Sequence, residues 1–396
     1  MKKIIFTILI FASVSVNAQE HISLQSALDS ARANNFTIKN SQLLSEYQEK
    51  LKSTYLDLPA TQVNFEYGQL NTHLKDNKFN ISQGFDFPTV YARQKKWLDA
   101  QWQKSLAEQQ LTIREVEREV AQLYYEIKVA QIHLNLLTSI DSSLGNFVQM
   151  SQQRLEKGAT TISELSAIRL QQQQVDIQKK WLEQRIHLTA LQMQLLTQTQ
   201  LLYIAEPDEK EVEVNFASIE EIISSHPSME VLEQDIKVVQ QSVKVFQAQI
   251  LPSWNVGYSN QSFKDAGSGR FHALEAGVGI PVFTHGQRQQ VKAAKAQILI
   301  QENEKAHQTA QLSQSYLQLI AQLQLQKAII KQYETMQIPQ TKSLMEISGQ
   351  QFYAGILSYV EWMTMTQQTL QVYSDYITAM QGYYQALAQY HFIQNK

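Results

Sequence analysis

The sequence has 396 residues, of which 18% are charged, and its formal net charge at pH 7 is −3. This composition lacks the basic excess of nucleic-acid-binding proteins, so we expect no nucleic-acid partner. Cysteine is absent, which excludes disulfides, thiolate metal sites and a lipid-modified N-terminal cysteine.

The first 18 residues have the features of a secretory signal peptide. The chain begins Met-Lys-Lys, residues 4–16 are apolar, and Val16-Asn17-Ala18 is a small-residue cleavage pattern. The apolar run is about 13 residues long and a spanning helix needs about 20, so a membrane anchor is the disfavoured alternative. We expect the mature chain to begin at Gln19. No later apolar run is long enough for a spanning helix, so any membrane contact would be made by strands.

Two pairs of prolines indicate an internal repeat. Pro59 and Pro252 mark points where a helical pattern changes to alternation, and they are 193 residues apart (252 − 59). Pro88 and Pro281 follow the alternation and precede a helical pattern, again 193 residues apart (281 − 88). Equal offsets predict two copies of a helix, a β-hairpin, a long helix, a turn and a return helix. We assign the copies to residues 19–204 and 227–396, joined by an equatorial connector over 205–226 with at most a short strand and a short helix.

The first copy opens with a helical pattern over residues 22–58, with Ser23 as its N-cap. Residues 61–87 alternate apolar and polar side chains, which predicts a hairpin with one face of each kind. From Val90 to Lys157 apolar residues recur every three and four positions, as in a coiled-coil seam. This predicts one helix of about 65 residues, roughly 100 Å long. Its return helix should run to about Tyr203.

The second copy repeats this order. A helix from Pro227 to Ile250 precedes a hairpin over residues 253–280, and a second heptad helix follows. Pro339 should bend that helix, because proline lacks the backbone donor and crowds the preceding turn. The last helix is predicted to end near Phe392.

Both long helices end in the same turn chemistry. Gly158 ends the first, and Thr161 with Glu164 forms a capping-box pattern that starts the return helix. The corresponding residues of the second copy are Gly355, Ser358 and Glu361.

Four strands cannot close a membrane barrel, because the smallest has about eight and an open edge in lipid leaves backbone groups unpaired. If the apolar hairpin faces meet lipid, two copies would supply eight strands and three would supply twelve. The heptad seams also need partners along their length, while their Gln- and Ser-rich faces favour water. A ring of helices around a wet lumen satisfies both requirements, and a solvent-exposed bundle with polar faces is the alternative.

These features resemble the TolC family of outer-membrane efflux channels. The segment Gly277-Val278-Gly279-Ile280-Pro281-Val282-Phe283, followed by Gly286, is similar to the family's second strand-to-helix junction, and Leu251-Pro252 to its helix-to-strand entry. The first junction has Tyr91-Ala92-Arg93 instead, so the first copy is the more diverged. The resemblance implies a mainly α protein with a membrane β-barrel. In that fold each chain of a trimer gives two hairpins, four strands, to a shared twelve-stranded barrel, and long coiled-coil helices form an α-barrel.

The resemblance also implies sites. The helix turns farthest from the membrane meet a periplasmic adaptor in the family, and a purely structural role for the glycines and caps is the alternative. Glu361 matches an acidic position that constricts the closed periplasmic entrance, with Glu164 as its first-copy counterpart, although helix capping explains Glu361 equally well. The docking turns map onto Arg154, Leu155, Gly158, Thr161, Phe352, Tyr353, Gly355 and Ser358.

The implied function is a passive exit duct, the outer-membrane channel component of a tripartite efflux or secretion system in a Gram-negative bacterium. The expected partners are two further copies, a periplasmic adaptor, an inner-membrane pump of the resistance-nodulation-division type, and outer-membrane lipid. The spacings of a metal site, a phosphate loop or a catalytic serine are missing, so we expect neither enzyme activity nor a cofactor. A periplasmic coiled-coil adaptor or scaffold without a barrel is the alternative. Metal ions, drugs and polypeptides pass through relatives with similar walls, so the cargo is not specified.

Overall fold

The computed structural model describes residues 19–70, 73–206, 215–263 and 269–394. The predicted signal peptide, residues 1–18, and most of the acidic part of the connector, residues 207–214, lie outside the described residues. The described chain divides into two compact units. Unit 1 contains the residues up to Phe36 together with Glu115–Phe216 and Leu317–Phe392, and unit 2 contains Thr37–Arg114, Ala217–Tyr316 and the residues from Ile393.

The described elements are mainly helical. The helices are α1 (Leu24–Asn34), α2 (Phe36–Leu51), α3 (Pro88–Glu156), α4 (Ile162–Thr197), α5 (Ile219–Ser225), α6 (Pro227–Ala248), α7 (His285–Gln332), α8 (Ile338–Tyr353) and α9 (Tyr359–Gln394). The strands are β1 (Gln19–Ile22), β2 (Gln62–Gly68), β3 (Asp76–Phe85), β4 (Leu202–Ala205), β5 (Ser253–Phe263) and β6 (Gly269–Gly279). None of the described helices has the length and hydropathy of a membrane-spanning helix.

Unit 2 contains a four-stranded antiparallel sheet in the order β2-β3-β5-β6. Both predicted hairpins form, and the strands β3 and β5 join them into one sheet, with Ile81 opposite Tyr258. Unit 2 also contains most of α2, the first part of α3, α6 and the first part of α7. Ion pairs link those helices: Lys104 Nζ lies 2.7 Å from Asp235 Oδ1, and Lys305 Nζ lies 2.6 Å from Glu233 Oε1.

The core of unit 1 is the predicted heptad seam. Val120, Ile127 and Leu144 of α3 are almost fully buried. They follow the spacing of three and four residues that keeps one stripe of a helix against its neighbours. Residues of the return helix α4, such as Ile168 and Met193, are equally buried. The seam predicted from residue spacing is therefore the hydrophobic core of this unit.

Two local predictions for the N-terminal region are wrong. The predicted single helix over residues 22–58 is broken at Asn35, which has extended backbone angles, and α2 gives way to a short 3₁₀ turn before Leu56. Asn35 Nδ2 donates to the carbonyl of Leu196 at 2.8 Å, so a distant partner stabilises this break. Ser23 caps α1 as predicted, since its hydroxyl accepts from the amide of Ser26 at 3.3 Å.

The prediction of four strands is also incomplete, because six form among the described residues. The strands β1 and β4 pair in parallel, with Gln19 opposite Leu202. The return helix therefore ends at Thr197 rather than near Tyr203, and Gln198 takes a left-handed conformation with φ of 52°. Four-residue strands carry too little alternation to be recognised without their partner.

Pro339 lies just after a local change of helix type. The residues Tyr333–Gln337 form a π-helical segment between α7 and α8, in which the amide of Ile338 bonds to the carbonyl of Tyr333. Such a segment is a known cause of helix irregularity, and proline removes the next amide donor. The structure thus has a π-segment directly before Pro339, and the bend predicted at Pro339 stays a prediction.

Candidate functional sites: a two-faced sheet and two helix turns

The four-stranded sheet of unit 2 has one apolar and one polar face. Residues directly opposite each other in the strand register share a face. Val63, Ile81, Tyr258 and Leu274 form one continuous row across all four strands. Neighbouring rows make this face mainly apolar, although Gln83, Asn260 and His272 also lie on it; the apolar residues are Phe65, Phe79, Phe85, Trp254, Val256, Ala276 and Val278.

The other face is lined by polar and charged side chains. Glu66 lies opposite Lys78, and Asn80 Nδ2 donates to Glu275 Oε2 at 3.3 Å across the sheet. Gln62, Asn64, Ser82, Asn255 and Ser259 continue this face. Such a division suits a sheet with lipid on one side and water on the other.

The apolar face is open in the single chain. The side chain of Leu274 is 89% exposed, and those of Phe65 and Val256 are 67% and 50% exposed. The outer strands β2 and β6 each pair on one side only within the described residues. Both the face and the two edges therefore require partners that one chain does not supply.

The four prolines lie at the ends of the strands. Pro59 precedes β2, and Pro252 directly precedes β5. Pro88 is the first residue of α3, where its missing amide costs no helical hydrogen bond. Pro281 follows β6 by two residues and precedes α7 by four, so the second junction is longer than the first.

The two predicted turns in unit 1 have the same backbone geometry. Gly158 has φ of 68° and Gly355 has φ of 73°, and both lie in the left-handed region. After α3, the amide of Gly158 bonds to Leu155 O at 2.9 Å and that of Ala159 to Arg154 O at 2.8 Å. After α8, Gly355 and Ile356 repeat the pattern at 3.1 and 2.9 Å. These are Schellman motifs, which satisfy the last carbonyls of each helix.

The capping boxes that follow are not identical. Glu361 accepts from the amide and hydroxyl of Ser358 at 2.9 and 2.8 Å, and its own amide donates to the Ser358 hydroxyl at 3.3 Å. The hydrogen bonds from Ser358 lower the pKa of the Glu361 carboxyl. At the first turn the amide of Glu164 donates to Thr161 Oγ1 at 3.2 Å, but its carboxylate accepts from the hydroxyl of Thr160. Only the second box is reciprocal as predicted.

Arg154 connects the two turns. Its guanidinium donates to the carbonyl of Phe352, donates to Ala159 O at 3.1 Å, and lies 4.9 Å from the centroid of the Phe352 ring. Phe352 in turn stacks on the fully buried Trp362 at 5.3 Å, and Phe147 meets Trp362 edge-on at 4.8 Å. Sequence analysis placed Arg154 and Phe352 at the turns but missed this contact. It also missed Phe147 and Trp362, whose only sequence signal is an aromatic residue at a core position.

Several apolar side chains are exposed at the two turns, beside polar ones such as Glu156 and Lys157. Ile162, Tyr353, Ile356 and Val360 are exposed, while Leu155 is half-buried. Single exposed apolar residues are ordinary, but several at adjoining turns indicate a contact surface.

Comparison with protein families finds that residues 218–391 match the family described as outer membrane efflux protein. This segment includes the second hairpin, the second long helix and the second turn. Comparison with curated protein sequences gave no match.

Solved structures of outer-membrane channels share the fold over nearly the whole chain. The outer membrane protein VceC of Vibrio cholerae has a TM-score of 0.75 at 13% identity, covering 94% of this chain and 96% of that chain. The MtrE outer membrane channel of Neisseria gonorrhoeae, in its open state, has a TM-score of 0.74 at 14% identity, covering 94% and 88%. CusC, whose structures concern transmembrane channel formation, has a TM-score of 0.77 at 13% identity, covering 96% and 95%.

Proposed function

We propose that this chain is an outer-membrane channel of the outer membrane efflux protein family, and that three copies share one membrane barrel and form an exit duct from the periplasm. The family match over residues 218–391 and the fold shared with solved outer-membrane channels support an outer-membrane channel component of an efflux system, with a large periplasmic part. An adaptor without a barrel is not favoured, because the fold is that of the channels. The shared barrel, the docking of the turns and the partner pump are the parts we propose.

The observation that carries the proposal is the two-faced sheet with its two open edges. Hydrocarbon cannot hydrogen-bond to the free amides and carbonyls of β2 and β6, so lipid contact requires the edges to be paired. An identical chain offers the complementary edge, since β6 of one copy can pair with β2 of the next. Eight or twelve strands would close such a ring, and the TolC resemblance favours twelve strands from a homotrimer.

The experiment is fractionation of cells that express the full-length sequence. We expect the protein in the outer-membrane fraction, migrating in unheated SDS samples near three times the chain mass and near the chain mass after boiling. A soluble periplasmic monomer would overturn the proposal.

For the two turns we propose docking of a periplasmic adaptor attached to an inner-membrane pump, the pump type expected from the resemblance being resistance-nodulation-division. Support comes from the shared Schellman geometry, from Arg154 holding the turns together, and from exposed Ile162, Ile356 and Val360. The residues proposed to dock are Arg154, Leu155, Gly158, Thr161, Phe352, Tyr353, Gly355 and Ser358.

This docking is tested by replacing Ile356 with aspartate. The side chain is 72% exposed, so the oligomer should still form, whereas co-purification of adaptor and pump from cross-linked cells should fall at least tenfold. Leu325, on α7 and 59% exposed, gives a matched control as Leu325→Asp. Equal recovery of adaptor with Ile356→Asp and the unmodified chain would refute docking at the turns.

Glu361, with Glu164 as its counterpart, is proposed to line the periplasmic aperture. A Glu361→Gln channel in a planar bilayer separates this role from capping. A changed single-channel conductance supports the aperture, while an unchanged conductance with lowered thermal stability assigns Glu361 to capping alone.

A further inference from the structure

Six cationic residues lie at the start of the two long helices, just beyond the sheet, and we call them the basic collar. They are Arg93, Lys95 and Lys96 of α3, and Arg288, Lys292 and Lys295 of α7. All belong to unit 2. Arg93 is half-buried and the other five are exposed. At about 1.5 Å per residue they occupy roughly the first 15 Å of each helix.

The collar is not neutralised within the chain. Among the described residues no carboxylate forms an ion pair with any of the six. The nearby cations Lys52, Lys104 and Lys305 do have such partners. Lys95 lies 5.3 Å from the centroid of the Tyr55 ring, which is a cation–π contact and leaves the charge without a counter-ion. The collar charges are therefore available to an anion from outside the chain.

One cation of each helix, Lys96 in α3 and Lys292 in α7, points away from the packed side of that helix. Leu98 of α3 and Ala294 of α7 are buried at 6% and 8% exposure. Lys96 and Lys292 each lie two residues before one of them, which is about 200° around the helix. Arg288, Lys292 and Lys295 follow spacings of four and three and so form one stripe. An extended surface could contact this stripe without disturbing the packing of unit 2.

Helix stability does not explain the collar. Arg288 lies at the end of the first turn of α7, where the positive end of the helix dipole disfavours a cation. Neither α3 nor α7 has an acidic residue in its first turn. Within the stripe, Arg288 and Lys292 are like charges at i and i+4, which repel each other. A negatively charged partner that covers the collar would offset this repulsion between its cations.

The position of the collar identifies that partner. The segment between β6 and α7 exposes Ile280, Val282 and Phe283 at 68%, 77% and 94%, and the stripe of cations follows directly. An apolar band followed by Lys and Arg is the order in which a chain crosses from hydrocarbon into headgroups. We propose that the basic collar binds the phosphate headgroups of anionic phospholipids in the periplasmic leaflet of the outer membrane. This inference rests on the membrane placement proposed above.

A lipid partner accounts for the apolar residues beside the collar, which an anionic wall polymer such as peptidoglycan would leave exposed. Contact between the collar and the headgroups would also fix the depth of the sheet in the membrane, which the sheet alone does not do. Each cation close to an anionic surface strengthens association by roughly fivefold, and salt weakens the effect.

The test compares two triple variants with one matched control. The variants are Arg288→Gln/Lys292→Gln/Lys295→Gln and Arg93→Gln/Lys95→Gln/Lys96→Gln. The control, Lys327→Gln/Lys331→Gln/Lys342→Gln, removes the same charge from exposed positions of α7 and α8. Each oligomer is purified from vesicles of phosphatidylglycerol and phosphatidylethanolamine, and retained lipid is counted by native mass spectrometry at low and high salt.

We expect the control and the unmodified chain to retain phosphatidylglycerol equally, while each collar triple variant binds it roughly a hundredfold more weakly at low salt. Equal retention by collar and control variants would overturn the inference, as would lost co-sedimentation with peptidoglycan while lipid retention is unchanged. If all variants form the SDS-resistant oligomer, the proposed channel function holds even where the lipid-binding inference fails. If the unmodified chain is absent from the outer membrane, both the proposed channel function and the lipid-binding inference are refuted.

Discussion

Gly158 and Gly355 are the residues on which the two turns depend. A side chain in the left-handed region brings Cβ too close to the following carbonyl, and only glycine escapes this cost. A Cβ at Gly158 would meet no atom within 4 Å, so the requirement there comes from the backbone alone. At Gly355 it would lie 3.8 Å from Arg154 Nη2, an ordinary contact distance.

We expect Gly158→Ala and Gly355→Ala each to destabilise the protein by about 1–2 kcal/mol, the cost of a left-handed conformation for an alanine. Gly286→Ala is the matched control, since Gly286 also has open space around it but lies in α7 without a positive φ. The control should be neutral or stabilising, because alanine favours a helix. Thermal unfolding followed by circular dichroism measures all three, and a control as destabilised as the turn variants would contradict the account.

The cap at Glu361 predicts a pH dependence. The bonds from Ser358 lower the pKa of the Glu361 carboxyl below its ordinary value of 4.5. A carboxyl with a lowered pKa in the folded state stabilises the fold above its unfolded pKa, and the contribution is lost as pH falls through the folded pKa. The unmodified chain should therefore exceed Glu361→Gln in melting temperature at pH 7, and the difference should vanish at a pH well below 4.5. A difference that persists or grows in acid would show that the ionised cap is not its source.

Residues of this kind were predictable where the chemistry is local. Glycine followed by a capping box spans a few positions and can be recognised in sequence. Arg154 and Phe352 are 198 residues apart, and nothing around either indicates that the guanidinium donates to that carbonyl. Gly349 is a similar case, since a Cβ there would clash with the ring of Phe147, and this approach depends on how the helices pack.

At the scale of elements, the two faces of the sheet predict that neighbouring residues of one strand differ in their tolerance of a charged substitution. Leu274 belongs to the apolar face, and Glu275, the next residue of β6, belongs to the polar face. Successive strand residues point to opposite sides of the sheet. A charged residue introduced at one position would therefore face lipid, and the same residue one position along would face water.

We predict that Leu274→Lys destabilises the membrane oligomer by about 2–4 kcal/mol, the cost of a lysine near the bilayer midplane. Glu275→Lys is the matched control in the same strand and should cost little. The temperature at which the SDS-resistant oligomer dissociates distinguishes them. Equal dissociation temperatures would mean that this face does not meet lipid.

The elements themselves were predicted to different degrees. Hairpins and heptad helices have long periodic patterns, and the structure forms them close to the predicted bounds, with α3 at Pro88–Glu156. The break at Asn35, the paired strands β1 and β4 and the π-segment at Tyr333–Gln337 are short and depend on distant partners or on local strain. The spacing of residues in the sequence indicates neither a distant partner nor local strain.

At the scale of the whole molecule, the central claim is that the sheet is completed by other copies of the same chain. The predicted repeat gives two hairpins, and the structure joins them into one four-stranded sheet with edges at β2 and β6. Those edges are three strand spacings apart within a chain, about 14 Å, too far for a disulfide. Between copies they would be adjacent.

The most direct measurement is therefore cysteine cross-linking of the two edges, which the cysteine-free sequence permits without other substitutions. A set of chains would pair Glu66→Cys in β2 with a cysteine at alternate positions of β6 on the same face of the sheet, namely Ala273→Cys, Glu275→Cys and Gly277→Cys. Oxidation in isolated outer membranes is predicted to yield a covalent ladder that ends at three chains for the pair in register, and reducing agent should return it to one. Chains that stay monomeric with every pair would contradict the shared barrel.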